Sequence, residues 1–244
     1  MEILSKLALP IIISAVIGYL IGSVCFSIIL TKIFANKTDI RNYGSGNAGA
    51  TNVLRSVGRL PAALTFLFDF LKCIISVVIG YFILKYACEK AGVAEYMAII
   101  GKYAAGIACV IGHIFPLYFK FKGGKGVTTS IAMIFLLDWR VALLALGTFI
   151  IILSIKKIIS LSSVIAAVLY PIYTFIVGYF LDFTGSPLAG HSDKSLNYII
   201  AITIAAVLLG ALIVLVHKEN IGRLLKGEEK TISFKKKSKM PGEN

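Results

Sequence analysis

The chain has 244 residues, of which 58% are hydrophobic and 15% are charged, and it carries a formal net charge of +13. Because soluble domains contain roughly a quarter charged residues, this composition excludes an ordinary soluble protein and predicts an integral membrane protein. The basic residues lie between apolar runs and near the C-terminus, where anionic lipid and membrane topology account for most of them, so nucleic acid is not expected as a partner.

Seven apolar segments follow one another along the chain, near residues 10–31, 60–84, 97–119, 127–137, 141–155, 158–181 and 196–216. A helical span needs about 20 residues to cross about 30 Å of hydrocarbon, so the short fourth and fifth segments are expected to be tilted, thinly embedded or re-entrant. We therefore predict an all-α integral membrane protein, a seven-transmembrane-helix bundle. It is expected to form one membrane-embedded domain over 1–244, with a basic mobile tail at about 235–244.

Lysine and arginine are unevenly distributed between the connections, which predicts the orientation of the chain. With the N-terminus outside and the C-terminus cytoplasmic, the inner side holds most of them: Lys32, Lys37, Arg41, Arg55, Arg59, Lys120, Lys122, Lys125, Lys156, Lys157 and the basic tail from Lys218. The outer side receives Lys6, Lys85, Lys90, Arg140 and Lys194, with Lys102 near a boundary. This asymmetry favours a topology in which the fourth and fifth segments both cross the membrane or neither does.

The first polar stretch follows the first apolar segment and runs from Gly44 to Arg55. It formally contains the GxGxxG pattern of dinucleotide sites, but such a site needs a strand and a helix of a soluble βαβ unit, so we reject that interpretation. Glycines that allow close backbone approach and an arginine fork favour phosphate binding, with a simple turn-rich loop as the alternative. The residues predicted to bind are Ser45, Gly46, Asn47, Thr51, Asn52 and Arg55.

The second polar stretch runs from Gly112 to Thr129 and contains the sequence FKGGKGVTT. Pro116 cannot continue a helix interior, and the glycines around Lys125 let successive amide hydrogens point at one anion, so phosphate is the expected ligand. The alternative is a basic loop that meets lipid headgroups. A Walker loop is excluded because Gly126 stands where Ser or Thr is required. The predicted binding residues are His113, Lys122, Gly123, Gly124, Lys125, Gly126 and Thr128.

The third polar stretch, His217 to Glu228, follows the last apolar segment. On a helix, His217 and Asn220 share a face, which makes them candidates for chemistry, although a histidine at a membrane boundary is often structural. By the predicted topology all three stretches meet on the inner side and form one site. Asp69 and Lys72, spaced i, i+3 in the second segment, are expected to neutralise each other below it. The four cysteines show no metal-ligand spacing and are predicted to be packing residues.

These three stretches, together with the segment from Phe68 to Lys72, resemble in residues and in order the bacterial acyl-phosphate:glycerol-3-phosphate acyltransferase family, PlsY. The resemblance implies a seven-span inner-membrane enzyme with its active site on the cytoplasmic side. Such an enzyme transfers a fatty acyl group from acyl phosphate to the 1-hydroxyl of glycerol 3-phosphate, giving lysophosphatidic acid and phosphate in the first step of bacterial phospholipid synthesis. It implies no cofactor and no metal, membrane lipid as a partner, and we expect a monomer.

Two positions depart from the family pattern, since Ala48 stands where the family usually has Pro and Lys218 where it often has Arg or His. Acyl phosphate already carries a good leaving group, so the main tasks are positioning and charge stabilisation. We expect three residues to hold substrate phosphate: Ser45, Arg55 and Lys125. His217 and Asn220 are expected to orient the glycerol hydroxyls, with either His217 or the donor phosphate accepting the proton. The alternative function is a transporter or flippase for a small organophosphate, which usually places its site near the membrane midplane.

Overall fold

The computed structural model describes residues 2–36, 38–184 and 194–232, and within these ranges the chain forms helices and turns but no strand. The predicted mobile tail at about 235–244 and Lys37 lie outside the described residues. The chain divides into two compact units, the first ending at Leu137 and the second beginning at Asp138. A single domain over 1–244 stays a prediction.

The described helices follow the apolar segments of the sequence. In the first unit they are α1 (Glu2–Gly22), α2 (Phe26–Phe34), α3 (Ala50–Ser56), α4 (Arg59–Ala91), α5 (Ile99–Ile114) and α6 (Val127–Leu137), with short helical turns at Ile40–Asn42, Glu95–Ala98 and Leu117–Phe119. In the second unit they are α7 (Trp139–Lys156), α8 (Ile159–Ile176), α9 (Leu196–Val216) and α10 (Lys218–Leu225), and α8 continues into a wider helical turn at Val177–Phe183.

Six stretches among the described residues are long and apolar enough to cross a membrane: Ser5–Phe34, Arg59–Ala91, Glu95–Phe119, Trp139–Lys156, Ile159–Phe183 and Leu196–Val216. The remaining apolar helix, α6, has only 11 residues, at the bounds that the sequence predicted for the fourth segment. The prediction of an all-helical, multi-pass membrane protein is therefore confirmed. The four cysteines are buried and free, as expected for packing residues: Cys25, Cys73, Cys88 and Cys109.

The first apolar segment, expected as one continuous helix, is interrupted between α1 and α2 at residues 23–25. The Val24 carbonyl in this break accepts a hydrogen bond from the Lys72 ammonium at 2.7 Å. The Ser23 hydroxyl accepts from the Leu117 amide at 3.2 Å, which joins the break to the turn after α5. A buried amine on a neighbouring helix therefore compensates a backbone carbonyl that an uninterrupted helix would have satisfied itself.

Glycines allow close packing between the helices of the first unit. A Cβ added at Gly22 would lie 2.2 Å from the carbonyl oxygen of Cys109, and one added at Gly80 would lie 2.3 Å from that of Gly101. Lipid tails are as apolar as the side chains, so helices in a membrane associate mainly through such close backbone contacts. These contacts fix α5 against α1 and α4, and the second polar stretch follows directly from α5.

We expect Gly80→Val to lower the free energy of unfolding by about 1–3 kcal/mol, because overpacking against the Gly101 backbone forces α4 and α5 apart. Gly147→Val in α7 is the matched control, since an added Cβ there has nothing within 4 Å. Thermal unfolding of both variants in detergent measures the difference. Equal unfolding temperatures for the two variants would contradict the close-packing argument.

Candidate functional site

The first polar stretch forms a tight loop between the turn at Ile40–Asn42 and α3, and one side chain holds it together. The Asn52 amide oxygen accepts from the Ser45 amide at 3.0 Å. Its nitrogen lies 2.9 Å from the Tyr43 carbonyl, 3.0 Å from that of Asn47 and 3.2 Å from that of Ile40. Because this side chain is only 1% exposed and faces four backbone groups of the loop, it supports the loop, and its binding of substrate stays a prediction.

Glycine is required at the start of this loop. Gly44 has φ +63, and a Cβ at this position would lie 2.1 Å from the Asn52 amide oxygen. Only glycine adopts this conformation without strain and leaves room for the amide. The loop thus exposes Ser45 and Gly46, while Thr51 and Arg55 on α3 are half-buried.

Arg41, in the turn just before the first stretch, bonds to the backbone of the second. Its Nη1 donates to the Phe119 carbonyl at 2.8 Å and to the Lys122 carbonyl at 3.2 Å, while Nε and Nη2 donate to the Asp39 carboxylate. The hydrogen bond from Arg41 lowers the pKa of Asp39 below its ordinary value. The sequence analysis counted Arg41 only toward membrane orientation. No local pattern signalled this bridge, because its acceptors are backbone carbonyls far along the chain.

The second stretch does not offer all of the amide hydrogens that the sequence analysis assigned to an anion. The Gly123 amide donates to the Ile114 carbonyl and the Gly124 amide to the His113 carbonyl, both at 3.1 Å. The last carbonyls of a helix lack intrahelical partners, and these two glycines satisfy them at the end of α5. These two amide hydrogens are therefore used within the chain, and phosphate binding at Gly123 and Gly124 stays a prediction.

Close approach explains why glycines occupy these positions. A Cβ at Gly123 would lie 2.1 Å from the His113 carbonyl oxygen, and Gly126 has φ +77. The side chains nearest this turn that suit an anion are Lys125 and Thr128, both half-buried, and the exposed Lys122. Their binding of phosphate, with Gly126, stays a prediction.

The two stretches meet at Gly124 within the first unit. A Cβ added there would lie 2.8 Å from the Ala48 carbonyl oxygen and 2.2 Å from His113 Nε2. His113 is only 4% exposed, and its Nδ1 is 3.0 Å from the Lys72 ammonium. The histidine therefore lies beneath the loops, and its direct binding of substrate stays a prediction.

The third stretch belongs to the second unit, where His217 ends α9 and precedes α10. Its Nδ1 lies 2.7 Å from the Ile213 carbonyl oxygen. A carbonyl can only accept, so this contact assigns the hydrogen to Nδ1 and the lone pair of the neutral ring to Nε2. The fold of α9 thus fixes both the direction and the tautomer of a ring that is 3% exposed.

Glu229 anchors the third stretch, and the sequence analysis missed it. Its Oε1 accepts from Asn220 Nδ2 at 2.7 Å and from the Ser160 hydroxyl at 2.8 Å, and its Oε2 accepts from Arg223 Nε at 2.7 Å. Burial raises the pKa of Glu229, but the hydrogen bonds from Arg223, Asn220 and Ser160 outweigh burial and lower it overall. The carboxylate therefore holds Asn220, α8 and α10 together.

We expect Glu229→Gln to lower the stability of the folded protein near neutral pH and to make that stability less sensitive to acid. A carboxylate whose pKa is lowered by folding stabilises the folded state above its unfolded pKa of about 4.3 and ceases to do so as the pH falls through its folded pKa. The parent should therefore lose stability below about pH 4 more steeply than the variant. Unfolding temperatures between pH 3 and pH 7 test this, and parallel profiles for the two proteins would contradict it.

The regions of this chain that match known proteins cover most of its length. The profile of the family described as glycerol-3-phosphate acyltransferase matches residues 12–227. The glycerol-3-phosphate acyltransferase of Prochlorococcus marinus (strain MIT 9301) is 38% identical over 217 residues, which are 88% of this chain and 94% of that protein. The one from Coxiella burnetii (strain CbuG_Q212) is 37% identical over 223 residues, which are 91% of this chain and 98% of that protein.

Two solved structures have a similar fold, and both are crystal structures of PlsY (YgiH), an integral membrane glycerol 3-phosphate acyltransferase. Its glycerol 3-phosphate form is 33% identical with a TM-score of 0.71 and covers 91% of this chain and 96% of its own. Its lysophosphatidic acid form is 31% identical with a TM-score of 0.67 and covers 91% of this chain and 95% of its own. The similarity therefore holds in both sequence and fold.

Proposed function

The chain belongs to the glycerol-3-phosphate acyltransferase family, and we propose that it takes its acyl group from acyl phosphate and delivers it to the 1-hydroxyl of glycerol 3-phosphate. It is an integral membrane O-acyltransferase that forms lysophosphatidic acid. The transporter considered from the sequence is therefore set aside. With acyl phosphate as donor, the second product is inorganic phosphate, and the site has to accommodate two phosphate-bearing substrates.

One observation carries this proposal: the two phosphate-suited stretches lie against each other in the first unit. The Ala48 carbonyl and Gly124 are in close contact, and Arg41 ties the first loop to the backbone at Lys122. Backbone fixed in this way keeps nearby cationic side chains in place before substrate arrives. Charges held in place in advance stabilise the transition state without a cost for moving them during the reaction. Acyl transfer from a mixed anhydride needs little beyond such charge and positioning.

In this mechanism Ser45, Arg55 and Lys125 bind the phosphate groups of the substrates, as the sequence predicted. The guanidinium of Arg55 suits bidentate contact with phosphate, and Lys125 supplies a point charge. The glycerol hydroxyl attacks the acyl carbonyl, phosphate leaves, and the hydroxyl proton passes either to His217 Nε2 or to an oxygen of the donor phosphate. Asn220 orients the hydroxyls, and the acyl chain lies along apolar helix surfaces that open to the bilayer.

We further propose seven crossings, with α6 as the short one, the N-terminus outside, the third stretch on the cytoplasmic side of the inner membrane, and a monomer in lipid. Contacts within the second unit fit the alternation of ends that these crossings require. Arg140 binds Asp182 at 2.8 Å, and Lys194 binds it too, at the end that the positive-inside pattern places outside. The Lys157 backbone carbonyl accepts from the Ile232 amide at the other end, where the third stretch lies.

Cysteine labelling tests this topology. In a variant without native cysteines, we expect an impermeant maleimide added outside intact cells to label Tyr96→Cys but not Leu225→Cys, since these side chains are 76% and 84% exposed at opposite predicted ends. Both should react after the cells are opened, which controls for access. Labelling of Leu225→Cys in intact cells would overturn the orientation.

One assay tests the function. Purified protein in detergent, given acyl phosphate and glycerol 3-phosphate, should release phosphate and form lysophosphatidic acid in equal amounts, and acyl-CoA should not replace the donor. Omitting glycerol 3-phosphate should leave only the slow background hydrolysis of acyl phosphate. Folded, monodisperse protein that forms no lysophosphatidic acid from acyl phosphate would contradict the proposed donor.

A further inference from the structure

A buried cluster of Asp69, Lys72 and His113 lies beneath the two loops of the first unit. The Lys72 ammonium is 2.9 Å from the Asp69 carboxylate and 3.0 Å from His113 Nδ1. The three residues are between 2% and 4% exposed. The ion pair that the sequence predicted is therefore present, but it continues into a histidine, and that histidine reaches the loops.

Two charged groups of α4 face the Nδ1 edge of His113. The Lys72 ammonium, which can only donate, lies 3.0 Å from Nδ1, and the Asp69 carboxylate lies 3.5 Å from it. Lys72 also donates to the Val24 carbonyl at 2.7 Å, which together with Asp69 holds the ammonium in one place. The direction of the imidazole is thus determined by charges on α4.

His113 Nε2 points toward the junction of the two loops. Nε2 and the Ala48 carbonyl oxygen both lie within 3 Å of the position that a Gly124 Cβ would occupy. The backbone of Gly124 therefore packs on the ring edge, one residue before Lys125. A shift of the ring would therefore change the backbone path at Gly124, the residue before Lys125.

Stability alone does not account for this cluster. Burying an ion pair costs desolvation, and apolar side chains of similar volume often stabilise a protein as well or better. A stabilising role would also not require the chain of contacts to end at the junction of the loops. The contacts run from α4 through the imidazole to Gly124, which is the arrangement expected of a support.

We propose that Asp69, Lys72 and His113 are positioning residues that hold Gly124, and through it Lys125, in the conformation that binds substrate phosphate. This inference rests on the proposed function of the Lys125 stretch. None of the three contacts substrate. Their effect should appear in the KM of the substrate whose phosphate Lys125 binds, and that substrate is identified independently as the one whose KM rises in Lys125→Met.

The decisive variant is the double replacement Asp69→Asn/Lys72→Met, which removes both charges and leaves neither one buried without its partner. His113→Ala removes the ring, and His113→Gln is the conservative replacement, since its amide can accept from Lys72 and donate toward the loop. The control is Thr65→Val, a buried change on α4 whose hydroxyl bonds only within its own helix to the Pro61 carbonyl among the contacts described. Each variant is checked for monodispersity and unfolding temperature, and KM and kcat are measured for both substrates.

For the double variant and His113→Ala we expect KM to rise about tenfold for the substrate sensitive to Lys125→Met, with a smaller change for the other substrate. His113→Gln should recover most of this loss, and Thr65→Val should behave as the parent. If the double variant fails to fold, the comparison of His113→Ala with His113→Gln decides alone. Folded His113→Ala protein with parent KM values for both substrates would overturn the inference, whereas inactivity of the parent would instead contradict the proposed function.

Discussion

Lys125→Met and Arg55→Lys should each lower kcat/KM by about tenfold to a hundredfold, the equivalent of about 1.5–3 kcal/mol for loss of a charge-assisted contact. Lys125→Met removes a charge beside the turn that Gly124 and Gly126 shape. Arg55→Lys keeps the charge but loses the planar fork, so a large effect from this replacement would indicate bidentate phosphate contact rather than general attraction. Steady-state kinetics with each substrate varied in turn gives both parameters.

Lys120→Met is the matched control for Lys125→Met, because it removes the same charge from the same stretch at an exposed position. Long-range attraction between exposed charges is screened within about 10 Å at 0.1 M salt, so the control should lose about threefold or less. The contact hypothesis requires the two lysine variants to differ. If both lower kcat/KM by the same factor and high salt abolishes the loss, the basic stretch acts as a lipid-facing surface, which was the alternative interpretation of the sequence.

The sequence predicted the helical, membrane-embedded character of this chain because burial in lipid demands long apolar runs, and those runs are visible without any tertiary information. Even the short helix α6 was found at its predicted bounds. The interruption at residues 23–25 was not predicted. The Lys72 ammonium on another helix compensates the break, and no local pattern reports a partner 48 residues away.

The sequence located the polar stretches, but it did not predict the contacts that single residues make within the fold. Asn52 and Gly124 carry phosphate-suited chemistry in sequence, yet the fold uses their amides to hold the loops. Residue type shows what a group can bind, while its actual partner depends on neighbours brought close by folding. For the same reason Arg41 and Glu229 were missed, since each also bonds to a residue far along the chain, Arg41 to Phe119 and Glu229 to Ser160.

His217→Ala and Asn220→Ala should abolish acyl transfer to glycerol 3-phosphate while leaving the affinity for acyl phosphate close to that of the parent. His217 Nδ1 is committed to the Ile213 carbonyl, so the fold presents Nε2 as the nitrogen with a lone pair, the arrangement needed to accept a hydroxyl hydrogen. Steady-state kinetics measure the transfer, and equilibrium binding of acyl phosphate to the folded variants measures the affinity. Variants that turn over like the parent would show that the third stretch is a structural cap.

Asn220 needs a stricter control than His217, because its amide also supports Glu229. Ser160→Ala removes another donor from the same Oε1 oxygen, so it reproduces the structural loss without altering the α10 face that carries Asn220. If Asn220 acts on substrate, Asn220→Ala should lose at least a hundredfold more kcat/KM than Ser160→Ala at a comparable unfolding temperature, since about 2.7 kcal/mol of transition-state stabilisation separates the two. Equal losses in the two variants would mean that Asn220 works only through Glu229, and the hydroxyl-orienting role would then fall to His217 alone.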